Sequence, residues 1–399
     1  MIDVSSLDAA IRFDVARRVA SATATMQFRV LDDRPAAFDL RQDIGEASLD
    51  GIAIDPGTLA PQDLGGGDGA EMRVIDAAVP PGPTHELTLH YELATPRANE
   101  ALPVGWDGPV LFDLWMSDLH PGRYLEMWLP ANLCHDRFSL TLDVEIVGTD
   151  RGFQLLHNGS ADGTTVRYPR IFTSLSPMLM VVDADELVTA DQRMSPNMGV
   201  TLTALRTTDV DLPALTAETV GWIEGNVRTY GNFIHGDGFT GHIWDSTRGM
   251  EYDGATTASV GALEHEVFHS WFGRGVKPAS QNDGWIDEAY TTWSTASGRY
   301  EGERFAVVER SLDDPPVTLC PGHPWQRATP TDSYREGARL FAGIAHLAGG
   351  AEQLEQSMAR FYADYAGRLV TTQQLEDHLA TTVGDGVKPL FTRYVYGRD

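Results

Sequence analysis

Apolar and polar residues alternate with a period near two through the first half of the chain. The alternation recurs in AIRFDVA (10–16), ATMQFRVL (24–31), HELTLHYEL (85–93), RFSLTLDVEIVG (137–148) and MLMVVDA (178–184). Because successive side chains of a strand point to opposite faces, this pattern predicts half-buried strands. No helix-length pattern interrupts them, so we expect an N-terminal antiparallel β domain, either a sandwich or an open, curved sheet.

The periodicity changes near residue 210. Residues 213–234 have apolar positions at helical spacing, with Thr216 as the predicted N-cap. Strands are predicted at 239–246 and 249–258, and helices, several closed by glycine, at 335–349, 351–367, 371–384 and 387–397. We therefore expect an α+β protein of two domains, a β domain at residues 1–207 and a mostly helical domain at residues 208–399.

The composition is typical of a folded chain and argues against two classes of partner. Of the 399 residues, 42% are hydrophobic and 22% are charged, and the formal net charge is -27. Such an acidic chain is repelled by nucleic acid and by anionic membranes, so we expect neither as a partner. Two cysteines, Cys134 and Cys320, imply no disulfide framework, and the N-terminus lacks a signal-like apolar run. We expect a cytoplasmic location.

A candidate metal site lies in GALEHEVFHSWFGRGV, residues 261–276. Positions i and i+4 share one face of a helix, so His265 and His269 can bind one metal ion. Glu266 lies beside the first histidine and could reach a water molecule without binding the metal. A catalytic zinc typically takes three protein ligands and leaves a fourth position for water. Glu288, at the start of a predicted helix, is the candidate third ligand.

The histidine pattern alone leaves a second interpretation open. It also fits an amphipathic helix with Phe268 and Trp271 in the core and with histidines that bind nothing. The surrounding sequence favours the metal site, because it resembles the gluzincin signature of the aminopeptidase N family, which includes leukotriene hydrolase. The resemblance is carried by HExxH with the downstream Glu288 and by GMEYDG (249–254), HSWFGRGV (269–276), GWIDEAY (284–290) and SYREGARLF (333–341).

The resemblance implies a fold, a cofactor and a mechanism. The fold is a saddle-like N-terminal β domain followed by a thermolysin-like catalytic domain. The cofactor is one zinc ion per chain, bound by His265, His269 and Glu288. Glu266 would be the general base that takes a proton from water, and Tyr334 would stabilise the oxyanion of the tetrahedral intermediate.

The resemblance also implies a substrate, namely a peptide with a free N-terminus. Glu251 would bind the α-amino group, and the backbone of Gly249 and Met250 would lie beside the peptide. The implied activity is that of a zinc-dependent aminopeptidase. A specialised peptide-processing endopeptidase, an epoxide hydrolase on the same zinc site and a non-catalytic metal-bearing module are the alternatives.

Two departures from the family change these expectations. The sequence ends with LFTRYVYGRD, without the family's large C-terminal helical domain. We therefore expect a more open cleft, or one that a second copy of the chain covers. Glu336 stands where the family usually has lysine, close to Tyr334. From the residues alone, Tyr334 could equally be a core aromatic and Glu251 an exposed charge on a strand edge.

Overall fold

The computed structural model describes most of the chain. The described residues are 2–33, 35–63, 71–76, 79–94, 104–117, 119–120, 122–132, 136–169, 173, 175–196, 198–296, 309–323, 326 and 328–398. Cys134 lies outside them. Two compact units can be distinguished. One contains Met1–Thr189, Thr203–Asp209 and His242–Ser246, and the other contains Ala190–Leu202, Val210–Gly241 and Thr247–Asp399.

The first unit is built mainly from strands. The strands up to residue 183 are β1 (Ile2–Asp14), β2 (Val19–Val30), β3 (Ala37–Phe38), β4 (Ile44–Leu49), β5 (Ile52–Ile54), β6 (Pro61–Asp63), β7 (Glu71–Val74), β8 (Thr84–Leu93), β9 (Val110–Asp113), β10 (Ser139–Val147), β11 (Phe153–His157), β12 (Ser160–Asp162), β13 (Thr165–Tyr168) and β14 (Leu179–Asp183). Short 3-10 helices span Pro56–Leu59, Leu125–Met127 and Ala184–Glu186. All five predicted strand segments are confirmed, in β1, β2, β8, β10 and β14.

An eight-stranded sheet dominates this unit, in the order β12-β13-β10-β1-β2-β8-β4-β5. The apolar positions of its strands point to the buried face, as Leu7 and its partner Met26 do. One strand pair differs from the expected antiparallel arrangement, because β1 and β10 run parallel, with Leu7 opposite Leu140. A period of two is common to parallel and antiparallel strands, so alternation could not reveal the direction.

The second unit combines strands with helices. Its strands, together with those that continue into the first unit, are β15 (Leu187–Ser195), β16 (Met198–Leu205), β17 (Gly238–Ile243), β18 (Gly249–Tyr252), β19 (Ala255–Ala258), β20 (Lys277–Pro278) and β21 (Leu369–Val370). The helices are α1 (Leu212–Tyr230), α2 (Leu263–Phe268), α3 (Trp285–Ala296), α4 (Asp332–Ala348), α5 (Ala351–Tyr365), α6 (Thr372–Thr382) and α7 (Val387–Tyr394). The chain is thus a mixed α+β protein, and the helices predicted after residue 330 are confirmed. None of the described helices is both long and apolar enough to cross a lipid bilayer.

The N-cap of α1 differs from the prediction. Asp211, rather than Thr216, caps the helix by accepting a hydrogen bond from the backbone N–H of Ala214 at 3.1 Å. Thr216 lies inside the helix, where its hydroxyl donates to the Leu212 carbonyl at 2.7 Å. Asp and Thr both cap helices. Pro213, however, is tolerated only in the first turn of a helix, so its position requires that α1 begin earlier than a cap at Thr216 would allow.

The single strand predicted at 249–258 is a hairpin. β18 and β19 pair antiparallel and are joined at Asp253 and Gly254, whose φ of 68° lies in the left-handed region. An Asp-Gly pair between two strands is a typical hairpin turn, and it separates the apolar run into two. In the sheet order β15-β16-β17-β19-β18, the strand that carries Gly249, Met250 and Glu251 lies at the edge.

Candidate active site

The helix α2 presents the two histidines of the HExxH motif on one face. It is short and ends at Phe268, and the backbone N–H of the C-cap residue His269 donates to the His265 carbonyl at 3.3 Å. The two imidazole rings lie 4.6 Å apart, centre to centre. The other face of the helix is buried, and Phe268 and Trp271 belong to the core. The aromatic residues therefore pack the helix, while the histidines remain available for binding.

An aromatic core fixes α2 against α3. Phe268, Phe272 and Tyr290 are fully buried, and the rings of Phe272 and Tyr290 lie 4.6 Å apart. The hydroxyls of Tyr290 and Tyr230 are hydrogen-bonded at 3.0 Å. At the start of α3, Asp283 accepts a hydrogen bond from the Thr372 backbone N–H at 2.7 Å. These contacts set the position of the helix that carries Glu288.

Glu288 lies directly beside both histidines. Its Oε2 is 3.2 Å from His265 Nε2 and 3.7 Å from His269 Nε2. One donor atom from each of the three residues lies within 4.8 Å of the others. Two ligands about 2.1 Å from one ion at a tetrahedral angle are separated by about 3.4 Å. The observed separations match this value, so the geometry fits a single zinc ion.

The orientation of His269 leaves its Nε2 atom available. On the other side of the ring, Nδ1 lies 3.1 Å from the Phe272 carbonyl oxygen and contacts the Asp287 carboxylate. Nε2 is buried and has no hydrogen-bond partner among the described residues. A buried imidazole nitrogen without a partner is costly unless it binds a ligand. The donor set and this atom together fit zinc.

A glycine allows Asp287 to approach the histidine. Gly273 has a φ of 114°, and a Cβ atom there would overlap the Asp287 carboxylate. A side chain at position 273 would therefore be both strained and in collision with Asp287. This carboxylate was missed by sequence reasoning, although it lies immediately before Glu288 on the same helix.

A second group of potential ligands shares His269. It consists of Glu251, His269 and Asp287, whose donor atoms also lie within 4.8 Å of one another. Glu251 is already ion-paired with Arg274, and Asp287 contacts the Nδ1 side of the ring. The group of His265, His269 and Glu288, in which both histidine Nε2 atoms face the carboxylate, is therefore the better candidate for a metal site.

Glu266 lies buried beside Gly249. A Cβ atom at position 249 would overlap the Glu266 side chain, so only glycine allows this contact. One carboxylate oxygen of Glu266 is buried without a hydrogen-bond partner among the described residues. Burial, reinforced by the charge of Glu251, raises the pKa of Glu266 well above its usual value. Burial likewise raises the pKa of Glu288 to about 8. Such crowding of acidic groups favours a bound cation.

Glu251 forms a buried ion pair that the sequence did not reveal. Its Oε1 accepts a hydrogen bond from Arg274 Nη2 at 2.6 Å, and the residue is only 4% exposed. The interpretation of Glu251 as an exposed charge on a strand edge is therefore wrong. Although burial by itself raises the pKa of a carboxyl group, the Arg274 guanidinium holds the pKa of Glu251 below its usual value.

Tyr334 lies at the same site. It belongs to the first turn of α4, and its ring stacks on His265 at 6.3 Å with an interplanar angle of 17°. Its hydroxyl is hydrogen-bonded to the Glu288 carboxylate. Glu336, which stands at the family's lysine position, is paired instead with Arg339 at 3.0 Å and with Arg310.

Comparisons with known proteins identify the fold. No protein-family model and no curated protein matches the sequence. Solved structures do match. An M1 zinc metallopeptidase from Deinococcus radiodurans aligns with 100% of this chain and 95% of its own, with a TM-score of 0.65 and 18% identity. A variant of that enzyme, bound to a Tyr-Ser-Ala substrate, aligns over the same shares with a TM-score of 0.64.

The chain has the fold of the M1 zinc metallopeptidases. Leukotriene A4 hydrolase from yeast is also similar, with a TM-score of 0.67 and 16% identity over 99% of this chain and 68% of that one. The match to the M1 zinc metallopeptidases confirms the resemblance to the aminopeptidase N family and, with it, a mixed α+β fold. At 16–18% identity the likeness concerns the fold and does not assign a role to any single residue.

Proposed function

We propose that the protein is a zinc-dependent aminopeptidase that hydrolyses the N-terminal bond of peptides. The observation that carries this proposal is the convergence of two imidazole Nε2 atoms and one carboxylate oxygen, from His265, His269 and Glu288, beside the buried carboxylate of Glu266. A non-catalytic protein that only carries a metal ion has no need of the Glu266 carboxylate. We further propose that residues 208–399 form the catalytic domain.

The side chains around the ligands suit a hydrolytic mechanism. When bound, zinc supplies Lewis-acid chemistry, which polarises a carbonyl group and lowers the pKa of a water molecule. The Glu266 carboxylate would accept a proton from the attacking water and pass it to the leaving amine. The Tyr334 hydroxyl, next to Glu288, would donate a hydrogen bond to the oxyanion that forms during attack.

The placement of β18 supports peptide binding. This strand lies at the edge of its sheet, and an extended peptide can add to a sheet edge through backbone hydrogen bonds. Gly249 and Met250 would lie beside the substrate. At the next position, Glu251 has one oxygen paired with Arg274, so its second oxygen would accept the substrate's α-ammonium group. The Tyr-Ser-Ala complex of the Deinococcus enzyme supports a peptide as substrate.

Paired substrates test this function. Alanyl-p-nitroanilide and N-acetyl-alanyl-p-nitroanilide should be incubated with the purified protein before and after chelation, and again after zinc is restored. We expect hydrolysis of the free-amine compound only, lost on chelation and recovered with zinc. Equal hydrolysis of both compounds would favour an endopeptidase or a general hydrolase, and activity that survives complete metal removal would contradict a zinc mechanism.

A further inference from the structure

Arg274 binds Glu251 through two different groups. Its Nη2 donates to the Glu251 carboxylate at 2.6 Å, and its Nε donates to the Glu251 backbone carbonyl at 3.3 Å. Both residues are buried, with Arg274 only 2% exposed. One rigid guanidinium therefore fixes both the strand position and the carboxylate orientation of the same residue.

A second buried ion pair joins the segment between α2 and α3 to the hairpin of β18 and β19. Lys277 Nζ lies 2.7 Å from Asp253 Oδ1, and both side chains are buried. The two pairs thus connect the segment after His269 to the β18–β19 hairpin. They differ in one respect, because Glu251 lies within 4.8 Å of a donor atom of His269, whereas Asp253 is in neither group of potential metal ligands.

The pair between Arg274 and Glu251 determines what Glu251 can bind. One carboxylate oxygen is paired with the guanidinium, so a further cation would have to bind through the second oxygen. Without Arg274 the carboxylate could rotate, or could turn toward the other donors near His269. With Arg274 in place, the second oxygen is held in one direction relative to the metal ligands. Such a fixed acceptor suits a single primary ammonium group.

We propose that Arg274 is the positioning residue of the N-terminal subsite and sets its affinity for the α-ammonium group of the substrate by holding Glu251. The proposal rests on the aminopeptidase function argued above. It assigns Arg274 no direct contact with the substrate. Lys277 stabilises the same hairpin but has no part in this selection.

The test compares Arg274→Met with Lys277→Met, since each substitution removes one buried cation from the segment between α2 and α3. Kinetic constants for alanyl-p-nitroanilide and the zinc content are measured for the parent and both variants. We expect R274M to raise KM by about tenfold or more, with a much smaller change in kcat and with zinc retained. K277M should lower the unfolding temperature but leave KM within about twofold of the parent.

A conservative variant keeps the test decisive if R274M does not fold. Arg274→Lys retains the positive charge but only one point of attachment, so its KM should lie between those of the parent and R274M. An R274M or R274K variant with a KM equal to or below that of the parent would overturn the proposal, because Arg274 would then compete with the substrate for Glu251. An equal rise of KM in K277M would show that general loosening of the hairpin is the cause.

The parent protein separates this proposal from the function on which it rests. If the parent cleaves free-amine and N-acetylated substrates equally, the aminopeptidase function is wrong and the role of Arg274 falls with it. If the parent requires the free amine and R274M keeps the parent's KM, only the role of Arg274 is overturned.

Discussion

Gly249 on β18 lies so close to Glu266 on α2 that a methyl group on its Cα would overlap the Glu266 side chain. The edge strand that we expect to bind the peptide is thus in direct contact with the expected general base. A substitution at this one backbone position would therefore affect both the edge strand and the orientation of the Glu266 carboxylate.

Gly249→Ala should therefore reduce kcat through displacement of the Glu266 carboxylate. A shift of about 1 Å in a catalytic group can lower the rate by about 100-fold, and we expect a loss of that order with the zinc content unchanged. Gly221→Ala is the matched control, because its Cβ atom would meet no neighbour within 4 Å and the residue lies in the helix α1. The interpretation fails if G249A and G221A have the same kcat.

Asp287 should support metal binding through His269. Its carboxylate contacts the Nδ1 side of the imidazole ring, opposite the nitrogen that faces Glu288. Asp287→Asn removes the negative charge at nearly constant volume, and we expect zinc affinity to fall by about 10–100-fold. Competition with a chromophoric chelator measures this change. An affinity equal to that of the parent would mean that the Phe272 carbonyl and the Thr291 hydroxyl, 3.1 and 3.3 Å from Nδ1, orient the ring without the Asp287 charge.

Tyr334→Phe removes the hydroxyl but retains the ring that stacks on His265. If the hydroxyl stabilises the oxyanion, kcat should fall by about 100–1,000-fold with little change in KM. A rise in KM at constant kcat would instead place the hydroxyl in substrate binding. The zinc content should remain that of the parent, since the phenol is not among the expected ligands.

Asp113 should make the stability of the protein depend on pH. Burial raises its pKa to about 7, and one of its oxygens is buried without a hydrogen-bond partner among the described residues. Between pH 4 and 7 the folded state therefore holds a proton that the unfolded state has released, so the free energy of unfolding falls as the pH rises. Asp113→Asn should remove this loss of stability. We expect the substitution to raise the free energy of unfolding by about 2 kcal/mol more at pH 8 than at pH 5. Denaturant titrations at both pH values measure the free energy of unfolding. An equal effect of the substitution at pH 5 and pH 8 would contradict the raised pKa of Asp113.

Sequence periodicity predicted the elements of this fold well, because burial on one face imposes a period of two on strands and of 3.6 on helices. β1, β2 and the helices after residue 330 follow directly from that rule. The direction of β10 relative to β1 does not, since both directions share the same period. The prediction of the N-cap of α1 was wrong because Asp211 and Thr216, two residues with the same capping chemistry, lie close together in the sequence.

The grouping of His265, His269 and Glu288 could be predicted because the two histidines share one helical turn and the glutamate follows within a recognisable motif. The partners that orient them could not. Arg274 lies 23 positions from Glu251, and nothing in the pattern of a loop shows which distant charge it meets. Asp287 was hidden for a different reason, since its contact with His269 depends on the left-handed backbone of Gly273.

Glu266→Gln tests the central claim most directly. The amide retains the volume of the side chain but cannot accept the proton, so we expect the variant to bind one zinc ion per chain and to lose about 1,000-fold or more in kcat for alanyl-p-nitroanilide. Glu264→Gln, on the same helix but two residues away and thus on a different face, should retain the parent's rate. A zinc-loaded E266Q protein that hydrolyses the substrate at the parent's rate would contradict the proposed mechanism.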